Sequence, residues 1–320
     1  MKGKEQIKME KLFAEKGKEM EYMFFVAEKI GLPTEVLESI KAIVRKITEK
    51  GASEEFFSLA YIYASADEIT ILEAKERLDS LAQRVEASEF SLYMVFVLYC
   101  TGYMQEKYKN NNIDECIFWA SMDDIRCKVL ECMNCNKIVG IMSFTWYDGF
   151  FKLNRFALGR FQYEPLPLSV DFITKNGIHI SEGTKCFNMH IPSSGIPLTD
   201  DVRLDSYRKA YAFYKKRGEL EGENIIFRCA SWLLYPKHSE FLPKELNIVR
   251  FLNEFDIIAE EELSEFTYAN RIFGDIRGKS VEEYSEKTSM QRAYKKWILD
   301  GNKPGVGKGV IVFDGQKIIS

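Results

Sequence analysis

The sequence has little excess charge and no long apolar run. Lysine and arginine number 44 against 48 aspartate and glutamate residues, a formal net charge of -4. This balance gives no overall field to attract a polyanion, so we expect no nucleic-acid partner. No stretch approaches the roughly 18 apolar residues of a membrane span, and residues 1–20 are charged throughout, unlike a signal peptide. These absences predict a cytoplasmic protein that has no membrane partner.

Paired cysteines are also lacking. The chain has seven cysteines, an odd number scattered through apolar or helical segments, which is typical of a reduced compartment and argues against a disulfide framework. The one C-x-x-C motif, Cys132 to Cys135, has Cys127 nearby but no fourth ligand at zinc spacing. We therefore expect neither a metal nor a redox centre.

Several signatures of common enzymes are missing. The sequence contains no G-x-S-x-G elbow, no H-E-x-x-H helix and no G-x-G-x-x-G fingerprint. The segment PGVGKGV, residues 304–310, lacks the serine or threonine of a phosphate loop and precedes a strand, so we interpret it as a turn. No internal repeat is evident.

Length and periodicity predict two domains. A chain of 320 residues is long for one domain, and 46% hydrophobic residues supply material for large cores. Residues 1 to about 110 are a succession of helical patterns, such as the apolar stripe between Thr34 and Gly51. The polar stretch KYKNNNIDE, residues 107–115, marks the boundary. We predict a helical domain over 1–112 and a second domain over 113–320.

The second domain mixes helices and strands. Residues 116–133 form a helix candidate, residues 138–168 supply strand material, and Asp148-Gly149 between aromatic runs is a hairpin signal. Further strands are predicted within residues 185–192, 224–236, 255–261 and 309–319, separated by helical stretches. The predicted fold class is α+β, an all-helical N-terminal domain followed by a mixed α/β domain.

A small turn links a strand to a helix at residues 186–218. Ser193, Ser194 and Gly195 leave the backbone accessible just before the helix that begins near Thr199, which suits phosphate binding. The alternative is an ordinary capped loop, because Asp200 and Asp201 in the first helical turn repel anions. The residues alone leave both interpretations open.

Three side chains are candidates for acid–base chemistry. His190 ends the strand before the turn and can act as a general base or as a structural histidine. Tyr235, in SWLLYP, can donate a proton or simply pack as an aromatic ring. Glu164 ends the alternating segment RFQYE, whose polar face with Arg160 and Gln162 is normally solvated; it can alternatively deprotonate an amine.

Several phrases together carry a family resemblance. LGRFQYE, MHIPSSGIPLT, DSYRKAYAFY and SWLLYPKHSEFLPKELNIVRF resemble a bacterial acyltransferase family with a helical N-terminal domain and a C-terminal domain similar to the GNAT N-acetyltransferases. The resemblance implies a splayed mixed sheet that admits the pantetheine arm of an acyl-coenzyme A (acyl-CoA), with Ser193, Ser194 and Gly195 binding its pyrophosphate. The superfamily's cofactor loop, Q/R-x-x-G-x-G/A, has a basic first residue that IPSSGIPLT lacks.

The resemblance also implies a reaction. An acceptor amine, on a small molecule or a peptide, attacks the thioester directly, with His190 or Glu164 as base and Tyr235 as acid. The implied cosubstrate is an acyl-CoA, with acetyl-CoA as one candidate, and no metal is required. Two alternatives stay open: a non-catalytic module that binds a ligand or a protein on a degenerate GNAT-like fold, and hydrolysis of the thioester without an acceptor amine.

Overall fold

The computed structural model describes residues 17–320 and divides the chain into two compact units, one ending at Phe156 and the other spanning Ala157–Ser320. This division lies beyond the predicted boundary at 112/113. Helix α6 (Glu115–Asn136), which the sequence assigns to the second domain, packs on α5 (Glu89–Asn110) within the first unit. The polar stretch at residues 107–115 is therefore a connection between two helices of one unit.

The first unit is helical, as the apolar periodicity predicts. Its other helices are α1 (Gly17–Lys29), α2 (Thr34–Glu49), α3 (Ser53–Ala60), α4 (Ile71–Arg84) and α7 (Asp148–Phe151), with a π turn at Tyr61–Ser65 and a 3-10 turn at Phe144–Tyr147. Helix α5 is buried along most of its length, including Leu92 to Thr101, as expected of a helix that is apolar nearly all round. The neighbouring helices pack around it.

The hairpin predicted at Asp148-Gly149 is wrong. Both residues lie at the start of α7, where the Tyr63 hydroxyl donates to Asp148 Oδ1 at 3.0 Å. The Gly149 carbonyl accepts from the backbone N–H groups of Asn154 and Arg155, which closes a helical turn. The strands predicted over 138–151 are likewise absent from that described segment, and the sheet begins at Phe156.

The second unit is built on a six-stranded mixed sheet with the order β1-β2-β5-β6-β8-β7. Its strands are β1 (Phe156–Leu158), β2 (Phe161–Pro165), β5 (Phe187–His190), β6 (Ile225–Ser231), β7 (Asp256–Glu262) and β8 (Gly305–Phe313). A separate hairpin comprises β3 (Phe172–Ile173) and β4 (His179–Ile180). Strands β5 and β6 are parallel, whereas β2–β5, β6–β8 and β7–β8 are antiparallel. The α+β fold class is confirmed.

Helices connect the strands of this sheet. They are α8 (Asp200–Lys216) between β5 and β6; α9 (His238–Phe241) and α10 (Asn247–Asn253) between β6 and β7; and α11 (Ala269–Phe273) and α12 (Ser289–Leu299) before β8. Short 3-10 turns occur at Trp232–Leu234 and Val281–Glu283. The strand, turn and helix that the sequence predicts over residues 186–218 are β5, the Ser193–Gly195 turn and α8, and the structure adds that the next strand, β6, is parallel to β5.

The turn predicted at PGVGKGV is wrong, because these residues begin β8. The glycines are needed for a close approach from outside the strand. A side chain at Gly307 would collide with the backbone of Leu234, and one at Gly305 would collide with the Tyr235 ring. Packing of a distant segment on the strand, and not a chain reversal, accounts for this glycine-rich sequence.

Aromatic side chains fill the space between α8 and the sheet. Tyr207 stacks on Phe161 at 5.8 Å and on Phe227 at 5.4 Å between ring centroids, and Tyr214 lies 3.9 Å from Phe187. Tyr207 and Tyr214 are both buried. Tyr214 donates its hydroxyl hydrogen to the Tyr163 carbonyl at 3.1 Å, so burying it leaves no unsatisfied donor. The opposite sheet face carries the polar residues described next.

Candidate active site

Strands β5 and β6 pair over a short stretch and then continue without pairing. Their parallel register covers Phe187↔Phe227 and Asn188↔Arg228, yet β5 runs on to His190 and β6 to Ser231. Beyond the last pair, Met189 and His190 pair with β2, and Cys229 to Ser231 pair with β8. The pairing of the two strands therefore ends in the middle of the sheet, next to the Ser193–Gly195 turn, and we call the stretch beyond Asn188 and Arg228, where β5 and β6 are not paired, the gap between β5 and β6.

His190 and Glu164 meet beside this gap. The antiparallel register of β2 and β5 places Gln162 opposite His190 and Glu164 opposite Asn188. The Nε2 atom of His190 lies 2.6 Å from Glu164 Oε1 and 3.0 Å from Asn188 Nδ2. The side chains of His190 and Glu164 are 23% and 21% exposed, so the pair is neither fully solvated nor sealed in the core.

The Glu164 contact selects a tautomer of His190. A carboxylate only accepts hydrogen bonds, so the 2.6 Å contact, shorter than the 3.0 Å contact to the Asn188 amide nitrogen, assigns the hydrogen to Nε2; Asn188 Nδ2 is then a neighbour of Nε2 that donates no hydrogen bond to it. A neutral imidazole with hydrogen on Nε2 carries its basic lone pair on Nδ1. An imidazole whose orientation and tautomer are fixed by a carboxylate can act as a base, as it does in hydrolytic triads.

The polar face of β2 is less solvated than the sequence predicts. Gln162 is only 2% exposed and Arg160 8% exposed, whereas Glu164 is half-buried. The expectation of a normally solvated face is therefore wrong for the first two residues. Gln162 is paired with His190 of β5, and the Pro192 and Ile196 carbonyls, on either side of the Ser193–Gly195 turn, accept the hydrogen bonds of Arg160.

The turn itself offers backbone donors. The N–H groups of Ser193, Ser194 and Gly195 have no acceptor within the described residues 17–320, whereas the Ile196 N–H donates to Ser194 Oγ at 3.3 Å. Gly195 has a φ of +79°, a left-handed conformation that favours glycine, and its missing side chain would meet open space. Consecutive free N–H groups in a turn form an anion-binding concavity.

The two aspartates after the turn are engaged with other groups. Asp200 accepts from the buried Arg203 at 2.8 Å and from Arg250 at 3.3 Å. Hydrogen bonds from the Thr199 side chain and the Val202 backbone lower the pKa of Asp201. Asp201 thus occupies donors at the helix start, and an anion would be held by the turn instead of the first turn of α8.

Tyr235 lies apart from the His190–Glu164 pair in its contacts. It is 1% exposed, its ring packs at Gly305, and its hydroxyl donates to the Lys303 carbonyl at 3.4 Å. Burial raises the pKa of the Tyr235 hydroxyl. Within the described chain Tyr235 contacts neither His190 nor Glu164, so the structure brings two of the three predicted acid–base residues together and leaves the third separate.

Comparison with known proteins identifies the two units. Residues 25–153 match the family described as the N-acyltransferase N-terminal domain, and residues 155–311 match the GNAT-like C-terminal domain. The chain belongs to the acyltransferases that join these two domains. This confirms the resemblance predicted from the sequence. No curated protein sequence gives a significant match to this acyltransferase.

Solved structures of acyltransferases share the fold. An acyltransferase mutant in complex with octanoyl-CoA is 16% identical, with a TM-score of 0.70 over 92% of this chain and 88% of that one. An acyltransferase in complex with decanoyl-CoA is 18% identical, with a TM-score of 0.66 over 90% and 86%. A third, in complex with decanoyl-CoA and teicoplanin, is 15% identical, with a TM-score of 0.68 over 92% and 88%.

Two residues of this acyltransferase's site were not predicted. Asn188 contacts His190 from two positions earlier on the same face of β5, and strand alternation was the available signal. Arg271, on α11, donates to Ser193 Oγ at 3.1 Å, and no local pattern connects it with a turn 78 residues away.

The described residues contain neither a cluster of metal ligands nor a membrane-spanning helix. No group of three or more metal-ligating side chains occurs among residues 17–320, where Cys132 and Cys135 lie on α6 and form no disulfide bond. No helix in that range has the length and apolarity needed to cross a bilayer.

Proposed function

We propose that the protein transfers an acyl group from an acyl-CoA to an amine, and that the gap between β5 and β6 is the cofactor site. The observation that carries this proposal is the end of the β5–β6 register at Asn188 and Arg228, directly before a turn with free backbone donors. Such a gap fits an extended pantetheine arm. The acyltransferase neighbours with bound octanoyl-CoA and decanoyl-CoA support the same cofactor class.

The residues present fit the phosphates of coenzyme A. The N–H groups of Ser193, Ser194 and Gly195 would hold the pyrophosphate, and the open space at Gly195 leaves room for it. The pairing of Asp200 with Arg203 and Arg250 removes much of the repulsion that the sequence suggests. Arg271, which contacts Ser193, adds positive charge at the rim of the turn.

His190 is the proposed base. The nitrogen of the acceptor amine attacks the thioester carbonyl, His190 Nδ1 takes the proton that the nitrogen loses, and Glu164 stabilises the imidazolium through Nε2–H. The tetrahedral oxyanion then collapses, the C–S bond breaks, and the coenzyme A thiolate leaves and receives the proton from His190. Backbone N–H groups on the opened strand edges would stabilise the oxyanion.

Tyr235 has no step in this mechanism. Its hydroxyl donates to the Lys303 carbonyl, and within the described chain it has no contact with His190. His190 can return the proton to the leaving thiolate itself, because the same imidazole serves as base and then as acid. The acid role of Tyr235 stays a prediction from the sequence.

The acceptor is proposed as an amine on a small molecule or a peptide. One structural neighbour was solved with decanoyl-CoA and teicoplanin, which supports a bulky acceptor as a first candidate. The acyl chains of the neighbours make octanoyl-CoA and decanoyl-CoA the first donors to test, with acetyl-CoA for comparison.

Calorimetric titration of the full chain with octanoyl-CoA tests the cofactor site. Gly195→Trp fills the turn, and Gly177→Trp is its matched control, because Gly177 also has a positive φ of +83° and open space around it. We expect saturable binding that only Gly195→Trp abolishes. Equal binding by both variants would reject the turn as the cofactor site.

Turnover separates the remaining functions. Release of free thiol that increases when an amine is added indicates transfer, whereas release that is independent of the amine indicates thioester hydrolysis. Binding of acyl-CoA without either reaction, across a panel of small-molecule and peptide amines, would favour a non-catalytic binding module.

A further inference from the structure

Arg160 lies beneath the Ser193–Gly195 turn. It belongs to the two-residue connection, Gly159 and Arg160, between β1 and β2, and its side chain is 8% exposed. Its Nε donates to the Ile196 carbonyl at 2.9 Å and its Nη1 to the Pro192 carbonyl at 2.9 Å. One planar guanidinium therefore bonds the backbone on both sides of the turn.

These bonds orient the peptide group that leads into Ser193. The chain contains no cis peptide bond in the described residues, so the Pro192 carbonyl and the Ser193 N–H point in opposite directions. Because the carbonyl points to Arg160, the Ser193 N–H points away from it. The arginine thus sets the direction of one of the donors that the proposed phosphate site uses.

Arg160 is itself held in place by α8. Ser206 Oγ donates to the Leu158 carbonyl at 2.5 Å and accepts from the Phe161 N–H at 3.1 Å, one bond on each side of the Gly159–Arg160 connection. Gly159 has a φ of +80° and packs so closely on Ser206 that a side chain would clash. The connection and the turn are therefore both tied to the strand–helix unit.

We propose that Arg160 is a positioning residue that fixes the Pro192–Ile196 turn in its phosphate-binding conformation and supplies the positive charge that the turn's own sequence lacks. This inference rests on the proposed acyl-CoA function and deepens it. It predicts that Arg160 matters for the phosphate end of the cosubstrate and not for the acyl end. A merely structural arginine would affect both ends equally.

The test compares two donors with the same acyl-pantetheine part, of which only one carries the phosphates and the nucleotide. Octanoyl-CoA and S-octanoyl pantetheine carry the same thioester, but the second has no nucleotide or phosphate. Arg160→Met removes both bonds, Arg160→Lys keeps the charge without the planar fork, and Arg208→Met is the control, because Arg208 is exposed and donates to the Gln316 carbonyl at 3.4 Å. KM and kcat are measured for each donor, with thermal unfolding of every variant.

We expect Arg160→Met to raise KM for octanoyl-CoA by about tenfold to a hundredfold, the effect of losing hydrogen bonds from a charged group. Its kcat, and its KM for octanoyl pantetheine, should stay within about threefold of wild type by the same reasoning. Arg160→Lys should recover only part of the loss, and Arg208→Met should match wild type. If Arg160→Met does not fold, Arg160→Lys carries the test.

The outcomes separate this inference from the function beneath it. If wild type prefers octanoyl-CoA to octanoyl pantetheine and both Arg160 variants keep that preference, the positioning role is wrong and the proposed function stands. The same holds if an Arg160 variant loses both donors equally. If wild type accepts neither donor, the proposed function fails and this inference fails with it.

Discussion

Replacing Glu164 by glutamine tests whether it works through His190. The substitution keeps the shape of the side chain but removes the charge that faces Nε2 at 2.6 Å. Two unit charges about 4 Å apart attract by about 4 kcal/mol at an effective dielectric of 20. Because both side chains are about a fifth exposed, we expect about half of this, or about 2 kcal/mol, to be lost when the imidazolium forms. That corresponds to about a thirtyfold fall in kcat.

The assay is a double-mutant cycle on octanoyl-CoA turnover with an accepted amine. His190→Gln removes the base and should lower kcat by about a hundredfold or more. In the His190→Gln background, Glu164→Gln should cost less than about threefold, because Glu164 then has no imidazolium to stabilise. Glu260→Gln is the control, an exposed glutamate on β7 of the same sheet. A thirtyfold loss that persists without His190 would refute the dyad, as would a Glu164→Gln enzyme with wild-type kcat.

Three further predictions concern residues other than the His190–Glu164 pair. Arg203 is 1% exposed and is bonded to Glu254 at 2.6 Å. Replacing it by Met should lower the free energy of unfolding by about 3 kcal/mol, because Glu254 loses its charged partner, and the double variant Arg203→Met/Glu254→Leu should lose less of that free energy. Urea unfolding of both variants measures the two losses. Burial lowers the pKa of His238 to about 4. The stability that comes from burying this imidazole in its neutral form is therefore fully present above pH 6.5 and is lost as the pH falls from 6.5 to about 4. The free energy of unfolding of wild type should therefore drop by about 3 kcal/mol more than that of His238→Phe across this window, and parallel pH profiles would contradict it. Tyr235→Phe should leave kcat within about threefold of wild type, because its hydroxyl bonds to the Lys303 carbonyl; a hundredfold loss would restore the acid role.

Local sequence patterns predict the helices and the strand–turn–helix unit because their causes are local. Apolar spacing in α2 and α8 follows the helical period, and the glycines at 51 and 218 adopt the left-handed conformations expected after a helix. The hairpin prediction at Asp148-Gly149 failed because its signal is local, whereas the contact that holds Asp148 in a helix comes from Tyr63, 85 residues earlier. The turn prediction at Gly305 and Gly307 failed for the same reason, because these positions are glycine to make room for Tyr235 and Leu234, which are distant in the sequence.

In the candidate site, too, the sequence shows the individual residues but not the long-range contacts between them. The sequence suggests His190 and Glu164 as two separate candidates for the base, but only the register of β2 against β5 shows that they are in contact. The serines and the glycine of the turn are visible as a pattern, whereas their support by Arg160 depends on a contact that spans 32 to 36 residues. Neither spacing has a periodic signature, so single-sequence reasoning cannot supply these contacts.

A crystal structure of the protein with octanoyl-CoA tests the central claim most directly. We predict that the pantetheine arm lies between β5 and β6 beyond Asn188 and Arg228, with pyrophosphate oxygens about 3 Å from the N–H groups of Ser193 to Gly195. The thioester carbonyl should then lie on the face that carries His190. A coenzyme A bound outside the β5–β6 gap, with the turn empty, would contradict the account.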